Sequence, residues 1–203
     1  MQIIKKEEKN KETALLKALE ALNASKEEIF YYFKEIDGNL IKGKKYQITA
    51  ITKYDVKEFI KDYLTKLAHL MNTEFDIEIK ETEIGFNVLI IADENAILIG
   101  KNGKNLNAIQ LLLREAIKAI GNFDIKVNLD ISGYKAKKEN RLIRSVKQIA
   151  KEVAETKIDA KLDPMNSYER RIVHNIVNNY DNLLTVSEGE EPNRYITIKY
   201  QKD

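Results

Sequence analysis

Cysteine is absent from this chain, which excludes disulfides, thiol nucleophiles and thiolate metal sites. Histidine occurs only as His69 and His174, too few for a His-rich metal centre. No apolar run approaches the ~18 residues that a membrane-spanning helix needs. The opening residues, Met1-Gln2-Ile3-Ile4-Lys5-Lys6-Glu7, lack the hydrophobic segment of a secretory signal. A soluble cytoplasmic protein is therefore expected. A dominant charge sign is missing as well: 34 Lys and Arg stand against 32 Asp and Glu, a net charge of +2. Any basic surface must come from local segregation of charge. There is no Walker-type phosphate loop, and no Ser, Cys or carboxylate stands at a recognisable spacing from His174 as nucleophile or base partner. Neither catalysis nor a metal or other cofactor is expected.

The 203 residues are 43% hydrophobic and 33% charged, enough apolar content for packed cores. The pattern predicts an α+β chain of three small domains, at 1–52, 54–132 and 134–203, with neither internal repeats nor low-complexity linkers. The first reads as βαββ. Gln2–Lys6 is a short strand, and Leu15, Ala18, Leu19 and Leu22 mark a helix over 11–23. Ile29–Ile36 and Lys45–Ile51 read as strands, with turn signals at Asp37-Gly38-Asn39 and Lys42-Gly43. Ser25-Lys26-Glu27-Glu28 competes with this as a capping box able to start a short helix.

Asp55 with Glu58 reads as the N-cap box of a long helix, whose face is Val56, Ile60, Tyr63, Leu67 and Leu70. Strands at 74–81, 86–92 and 124–131 follow, and two helices fall between the last two. Those helices are joined by Ile99-Gly100-Lys101-Asn102-Gly103-Lys104. Glycine removes the Cβ that would keep a sugar–phosphate backbone at a distance. The second helix opens with free N–H groups and the positive end of its dipole. Lys101 and Lys104 add full charges. An apolar groove lined by Ile97, Ile99 and Leu106 would receive bases beside the loop, although each of these side chains taken alone reads as core before groove.

After Gly133, residues 134–156 read as one long helix. Leu142, Val146, Ile149 and Val153 form its buried face, and Lys137, Arg141, Arg144 and Lys151 fall largely opposite, diluted by Glu139, Glu152 and Glu155. A face of that kind is ordinarily solvated surface, and a nucleic-acid contact is the alternative reading. A strand at 157–162 ends at Pro164, a helix over 167–179 is capped by Asn166 with Glu169, and 183–187 and 195–200 form a hairpin. Arg170 and His174, four apart, share one face of the capped helix. Tyr168, Ile172, Ile176 and Tyr180 make a separate apolar face, which leaves the Arg/His face to solvent. In isolation such a pair is ordinary surface structure, with Arg170 paired to Glu169 or another acid.

The helix–Gly-x-x-Gly–helix element within an α-β-β-α-α-β order resembles the type II KH domain. The run Leu162 to His174, continued by Ser187 to Arg194, resembles the Arg-x-x-x-His domain, a single-stranded nucleic-acid-binding module with a small sheet packed on helices. With a first unit similar to the Jag N-terminal domain, essentially the whole chain resembles the Jag family (SpoIIIJ-associated proteins, also called KhpB). The resemblance implies a bacterial, cytoplasmic protein that binds single-stranded RNA, a post-transcriptional regulator or RNA chaperone linked to cell shape, division or sporulation. It implies Gly100, Lys101, Asn102 and Gly103 as the KH loop and Arg170 and His174 as the named pair of the last domain; Ile99 and Lys104 beside the loop, and Arg171 and Arg194 as basic support, complete the expected RNA contacts. A small KH-domain partner, a YidC-type membrane insertase and a second copy of the chain are the implied protein partners. An adaptor at the insertase, with incidental RNA binding, is the competing expectation. Two positions depart from the family: Ser167 stands where proline is usual, and the first unit lacks a Gly/Phe-rich segment before its last strand.

Overall fold

The computed structural model describes residues 1–36, 44–93 and 95–201, and the chain is α+β. The turn signals at 37–39 and 42–43 lie outside the described residues. The chain divides into two compact units, Met1–Ser132 and Gly133–Asp203.

The first unit opens with β1 (Ile3–Glu8), α1 (Lys11–Leu22), β2 (Ile29–Ile36) and β3 (Lys45–Thr52), paired antiparallel in the order β1-β3-β2. Asn10 caps α1, its side chain accepting from the Glu12 N–H at 2.8 Å. Ala14 and Ala18 are fully buried, and their small side chains seat α1 on Ile29, Ile48 and Ala50. Both readings of residues 25–28 occur. The Ser25–Glu28 capping box closes a single 3-10 turn, and the chain then extends as β2. The run Ile29-Phe30-Tyr31-Tyr32-Phe33 is β-branched and aromatic, which favours strand over a longer helix. Hydrogen bonds from Ser25 hold the Glu28 carboxyl below its ordinary pKa.

Alternation along β2 sends Tyr31 and Phe33 toward α1. Phe30 and Tyr32 point the other way. Phe30 meets Phe86 edge-on with centroids 5.8 Å apart, and Tyr32 meets Phe123 at 5.5 Å. The Tyr32 hydroxyl donates to the Gly121 carbonyl at 3.0 Å. This aromatic strand joins the small sheet to the elements that follow.

Those elements are α2 (Lys53–Leu70), β4 (Asp76–Thr82), β5 (Gly85–Ile91), α3 (Asn95–Ile99), α4 (Lys104–Gly121) and β6 (Lys126–Ile131), the α-β-β-α-α-β order expected. The sheet runs β4-β5-β6, with β4 antiparallel and β6 parallel to β5. Phe86, Val88, Ile90, Val127, Leu129 and Ile131 are buried. Two details of α2 differ from expectation. Its N-cap is Thr52, whose Oγ1 accepts from the Asp55 N–H at 2.9 Å. Asp55 instead accepts from the Gln2 backbone N–H at 3.3 Å and lies 3.5 Å from the chain's amino terminus, tying β1 to α2. The buried face is Val56, Ile60, Leu64 and Ala68, while Leu70 is 84% exposed. Alternating steps of four and three and uniform steps of four both satisfy helical periodicity, and packing on β3, β4 and α4 selects the second.

The second unit contains α5 (Tyr134–Thr156), β7 (Ala160–Lys161), α6 (Ser167–Val177), β8 (Leu183–Glu188) and β9 (Tyr195–Tyr200). Its strands pair antiparallel in the order β7-β9-β8. Val146, Ala150 and Val153 of α5 pack with Val173 and Val177 of α6 on Leu162, Leu183, Ile196 and Ile198. The strand expected over 157–162 shrinks to two residues. Lys157 closes α5 in the left-handed conformation at φ 60°, and the Tyr200 N–H goes to the Asp159 side chain at 3.0 Å. Among the described residues, no helix is long and apolar enough to cross a membrane.

Thr52→Ala removes the cap of α2 and is expected to destabilise the chain by about 1 kcal/mol in urea unfolding. No change in midpoint would show that the cap is dispensable.

Candidate nucleic-acid interface

The first candidate site is the corner between α3 and α4. Leu98, fully buried, anchors the short α3. The Gly100 N–H closes that helix by donating to the Ala96 carbonyl at 2.9 Å. Gly100 then adopts φ 68°, ψ 175°, and Asn102 and Gly103 also have positive φ, at 58° and 83°. A Cβ on Gly100 would sit 2.6 Å from Cγ of Asn105. That asparagine is fixed, because its Nδ2 donates to the Ile97 carbonyl at 2.7 Å. Glycine is thus required at 100 by both conformation and space. Buried Gly103 is the N-cap of α4 and offers no side-chain acceptor, so no cap of that kind engages the helix's first N–H groups.

Lys101 and Lys104 are exposed on either side of the turn, and neither pairs with a carboxylate among the described residues. Asn102 is exposed and Ile99 half-buried. Of the expected groove residues, Ile97 is 60% exposed beside the turn, but Leu106 is 1% exposed and belongs to the core. Leu106 begins the buried stripe of α4 with Ile109, Leu113 and Ile117, so it has no surface for a base.

The second candidate site lies on α6. The Asn166–Glu169 capping box forms as expected, with the Glu169 N–H donating to Asn166 Oδ1 at 2.9 Å and the Asn166 N–H donating to Glu169 Oε2 at 3.0 Å. The orientation of the helix differs from expectation. Tyr168 is 60% exposed and donates its hydroxyl to Glu139 at 3.0 Å, a contact that raises the tyrosine pKa. The face on the sheet is Val173 and Val177, both fully buried. Arg170, Val173, His174 and Val177 share one stripe at i, i+3, i+4 and i+7. Arg170 and His174 therefore flank the core-facing stripe; the expectation of a freely solvated Arg/His face is incorrect.

Each of these groups has a specific partner. The Arg170 side chain is only 12% exposed, and its Nη1 donates to the Met165 carbonyl and to Glu191 Oε1, both at 2.8 Å. The acid that pairs with Arg170 is thus Glu191, from the β8–β9 loop, while Glu169 pairs with Lys138 at 2.7 Å. His174 Nδ1 shares a hydrogen bond with Thr185 Oγ1. Arg194 Nε donates to Ser187 Oγ at 2.9 Å, and the Arg194 carbonyl accepts from the Met165 N–H at 3.0 Å. Thr185 and Ser187 are two apart on β8 and share a face, so one strand seats both His174 and Arg194. Arg171 is exposed with no partner among the described residues. Thr185, Ser187 and Glu191 were not anticipated. The period-2 pattern Leu183-x-Thr185-x-Ser187 carries a signal for the first two, because it places hydroxyls on the core-facing side of a strand.

Among the described residues, no group of three or more His, Asp and Glu side chains could hold a metal ion. The architecture sets a glycine-cornered helix pair on one small sheet and an Arg/His helix on another. The chain matches the KhpA/KhpB KH domain over residues 57–131 and the Arg-x-x-x-His domain over residues 140–200. It is 34% identical over 203 residues to RNA-binding protein KhpB of Clostridium symbiosum, covering 96% of this chain and 90% of that protein. It is 29% identical to RNA-binding protein KhpB of Bacillus subtilis (strain 168), covering 96% of each. A third relative, RNA-binding protein KhpB of Lactiplantibacillus plantarum, is 28% identical over 70% of this chain and 44% of its own length. The chain belongs to the KhpB family.

Gly100→Ala is expected to destabilise the first unit by about 1–3 kcal/mol, since it combines a positive φ with a clash on a fixed asparagine. Chemical unfolding measures this, and an unshifted midpoint would mean that the turn relaxes without cost.

Proposed function

We propose that this chain binds single-stranded RNA through two grips: Ile99 to Lys104 in the KH domain, and Arg170, Arg171, His174 and Arg194 in the Arg-x-x-x-His domain. The observation that carries this reading is the corner at Gly100–Gly103. It has a tight turn made by residues of positive φ, a helix start without a side-chain cap, and a lysine on either side that pairs with no carboxylate among the described residues. A phosphate seated there accepts from backbone N–H groups and is flanked by full positive charge. Exposed Ile97 and half-buried Ile99 offer apolar contact to the adjoining base.

At the second grip, Arg170 is already oriented by the Met165 carbonyl and holds the Glu191 carboxylate. A carboxylate and a phosphate present similar acceptors to a guanidinium. RNA therefore exchanges one anion for another at Arg170 and does not need to order a free side chain. His174, positioned by Thr185, offers a ring to stack on or to donate from. Base stacking contributes about 1–3 kcal/mol per base. One strand held at both grips gains about 10²–10⁴ in apparent affinity over either alone. The relatives named as RNA-binding proteins support this reading, and post-transcriptional control is the role that fits it.

Fluorescence anisotropy with a labelled single-stranded RNA tests the two grips separately. Lys101→Asp with Asn102→Asp keeps both glycines and places carboxylates where phosphate would sit. Aspartate tolerates the positive φ of position 102. This pair is expected to weaken binding at least tenfold, and Arg170→Ala with His174→Ala is expected to weaken it independently. Unchanged affinity in both variants would refute RNA binding at these sites.

Glu191→Gln removes the resident anion from Arg170. It is expected to tighten RNA binding by up to about fivefold, or ~1 kcal/mol, the scale of an ion pair whose carboxylate is exposed. In an Arg170→Ala background the gain should vanish. A gain that persists there would mean that Glu191 acts only through the general field of the loop.

A further inference from the structure

The basic face of α5 is not used by either grip. Between residues 135 and 151 the chain places seven Lys and Arg against one acid, Glu139, within a molecule whose net charge is +2. Lys137, Arg141, Arg144 and Lys151 are all exposed, and helical geometry puts them opposite the buried Val146, Ala150 and Val153. Two acids of α5 have partners other than its lysines and arginines, and the third pairs with Lys151 at the end of the basic face. Glu139 accepts from Tyr168, Glu152 accepts from Gln148 at 3.1 Å, and Glu155 lies 3.7 Å from Lys151. Arg141 and Arg144 turn their Nε groups onto the helix's own carbonyls, those of Lys137 at 3.3 Å and Asn140 at 3.2 Å. Neither they nor Lys147 meets a carboxylate among the described residues.

The polarity of this arrangement works against the helix. The dipole favours acids near the start and bases near the end. In α5 the first turn has no acid and the last turn no base, while Glu152 and Glu155 sit near the negative end. The stripe is thus not explained by helix stability. The first turns of α5 lie beside α6: Lys138 pairs with Glu169 at 2.7 Å and Glu139 with Tyr168, in the turn of α6 that carries Arg170.

We propose that Arg141, Arg144 and Lys147 form a phosphate-tracking stripe that holds the backbone of the same single-stranded RNA strand gripped at Arg170 and His174. The stripe makes no base contacts, so it adds affinity and salt dependence without sequence preference. This rests on the RNA-binding reading above.

The test is anisotropy with labelled single-stranded RNA on the full chain over a range of salt concentrations. Arg141→Gln with Arg144→Gln is expected to weaken binding about tenfold. It should also lower the slope of log K against log salt by about 1.4, since each single-strand phosphate contact contributes about 0.7. Arg141→Lys with Arg144→Lys should retain most of the affinity, and the Gln pair should leave thermal stability unchanged. If the Gln pair binds RNA with unchanged affinity and slope while the Arg170/His174 variant is weakened, the stripe is idle and this inference fails alone. If neither variant is weakened, the RNA reading of the Arg-x-x-x-His domain fails with it. Loss of binding to anionic lipid vesicles with RNA affinity intact would assign the stripe to a membrane surface and overturn the proposal.

Discussion

The parallel pairing of β5 with β6 is the constraint on which the first site depends. Parallel neighbours cannot be joined by a tight turn, so the chain must cross one face of the sheet before returning. Here the crossing is made by α3 and α4, anchored by Leu98, Leu106, Ile109 and Leu113. The break between the two helices is left at the surface. Gly100 and Gly103 make that break sharp enough for α4 to start soon after the end of α3, at Lys104 following Ile99. The ladder thus forces a crossover, and the glycines turn it into a corner whose helix start bears no side-chain cap.

The second site follows another logic. Arg170 and His174 are placed by Val173 and Val177, which must pack on β8 and β9. A helix stripe that carries two valines into a core carries its i−3 and i+1 neighbours to the edge of that core. There a guanidinium and an imidazole cannot stay unpaired without a desolvation cost. Met165, Glu191 and Thr185 supply the partners. The result is pre-orientation: the side chains are held before any ligand arrives, and ordering entropy is spent on folding. The helices themselves divide in the same way. α1, α2 and α6 begin with a capping side chain and an acid in the first turn, whereas α4 and α5 begin at glycine with no such acid.

Much of this was legible in the residues. The alternation of Phe75, Ile77 and Ile79 with charged residues located β4, a continuous apolar run located β5, and the glycine pair between apolar runs located the corner. The Asn166–Glu169 box located the start of α6 because capping chemistry is local. What escaped depended on neighbours distant in sequence. Two overlapping stripes on α6, and two on α2, satisfy the same helical periodicity, and only the sheet beneath decides between them. Glu191 reaches Arg170 across 21 residues, and Tyr32 reaches Gly121 across 89. Asp55 carried a cap signature but lies inside the first turn of α2, where it binds the Gln2 N–H, and Thr52 is the cap.

The central claim is that two pre-shaped corners of one chain hold one strand. The most direct measurement is an amide NMR titration of the full chain with a short mixed-sequence single-stranded RNA. The account predicts that N–H signals from Gly100 to Leu106 and those of α6 with the β8–β9 loop shift together, at the same RNA concentration. Shifts confined to one of these regions, or centred on surfaces remote from both, would contradict it.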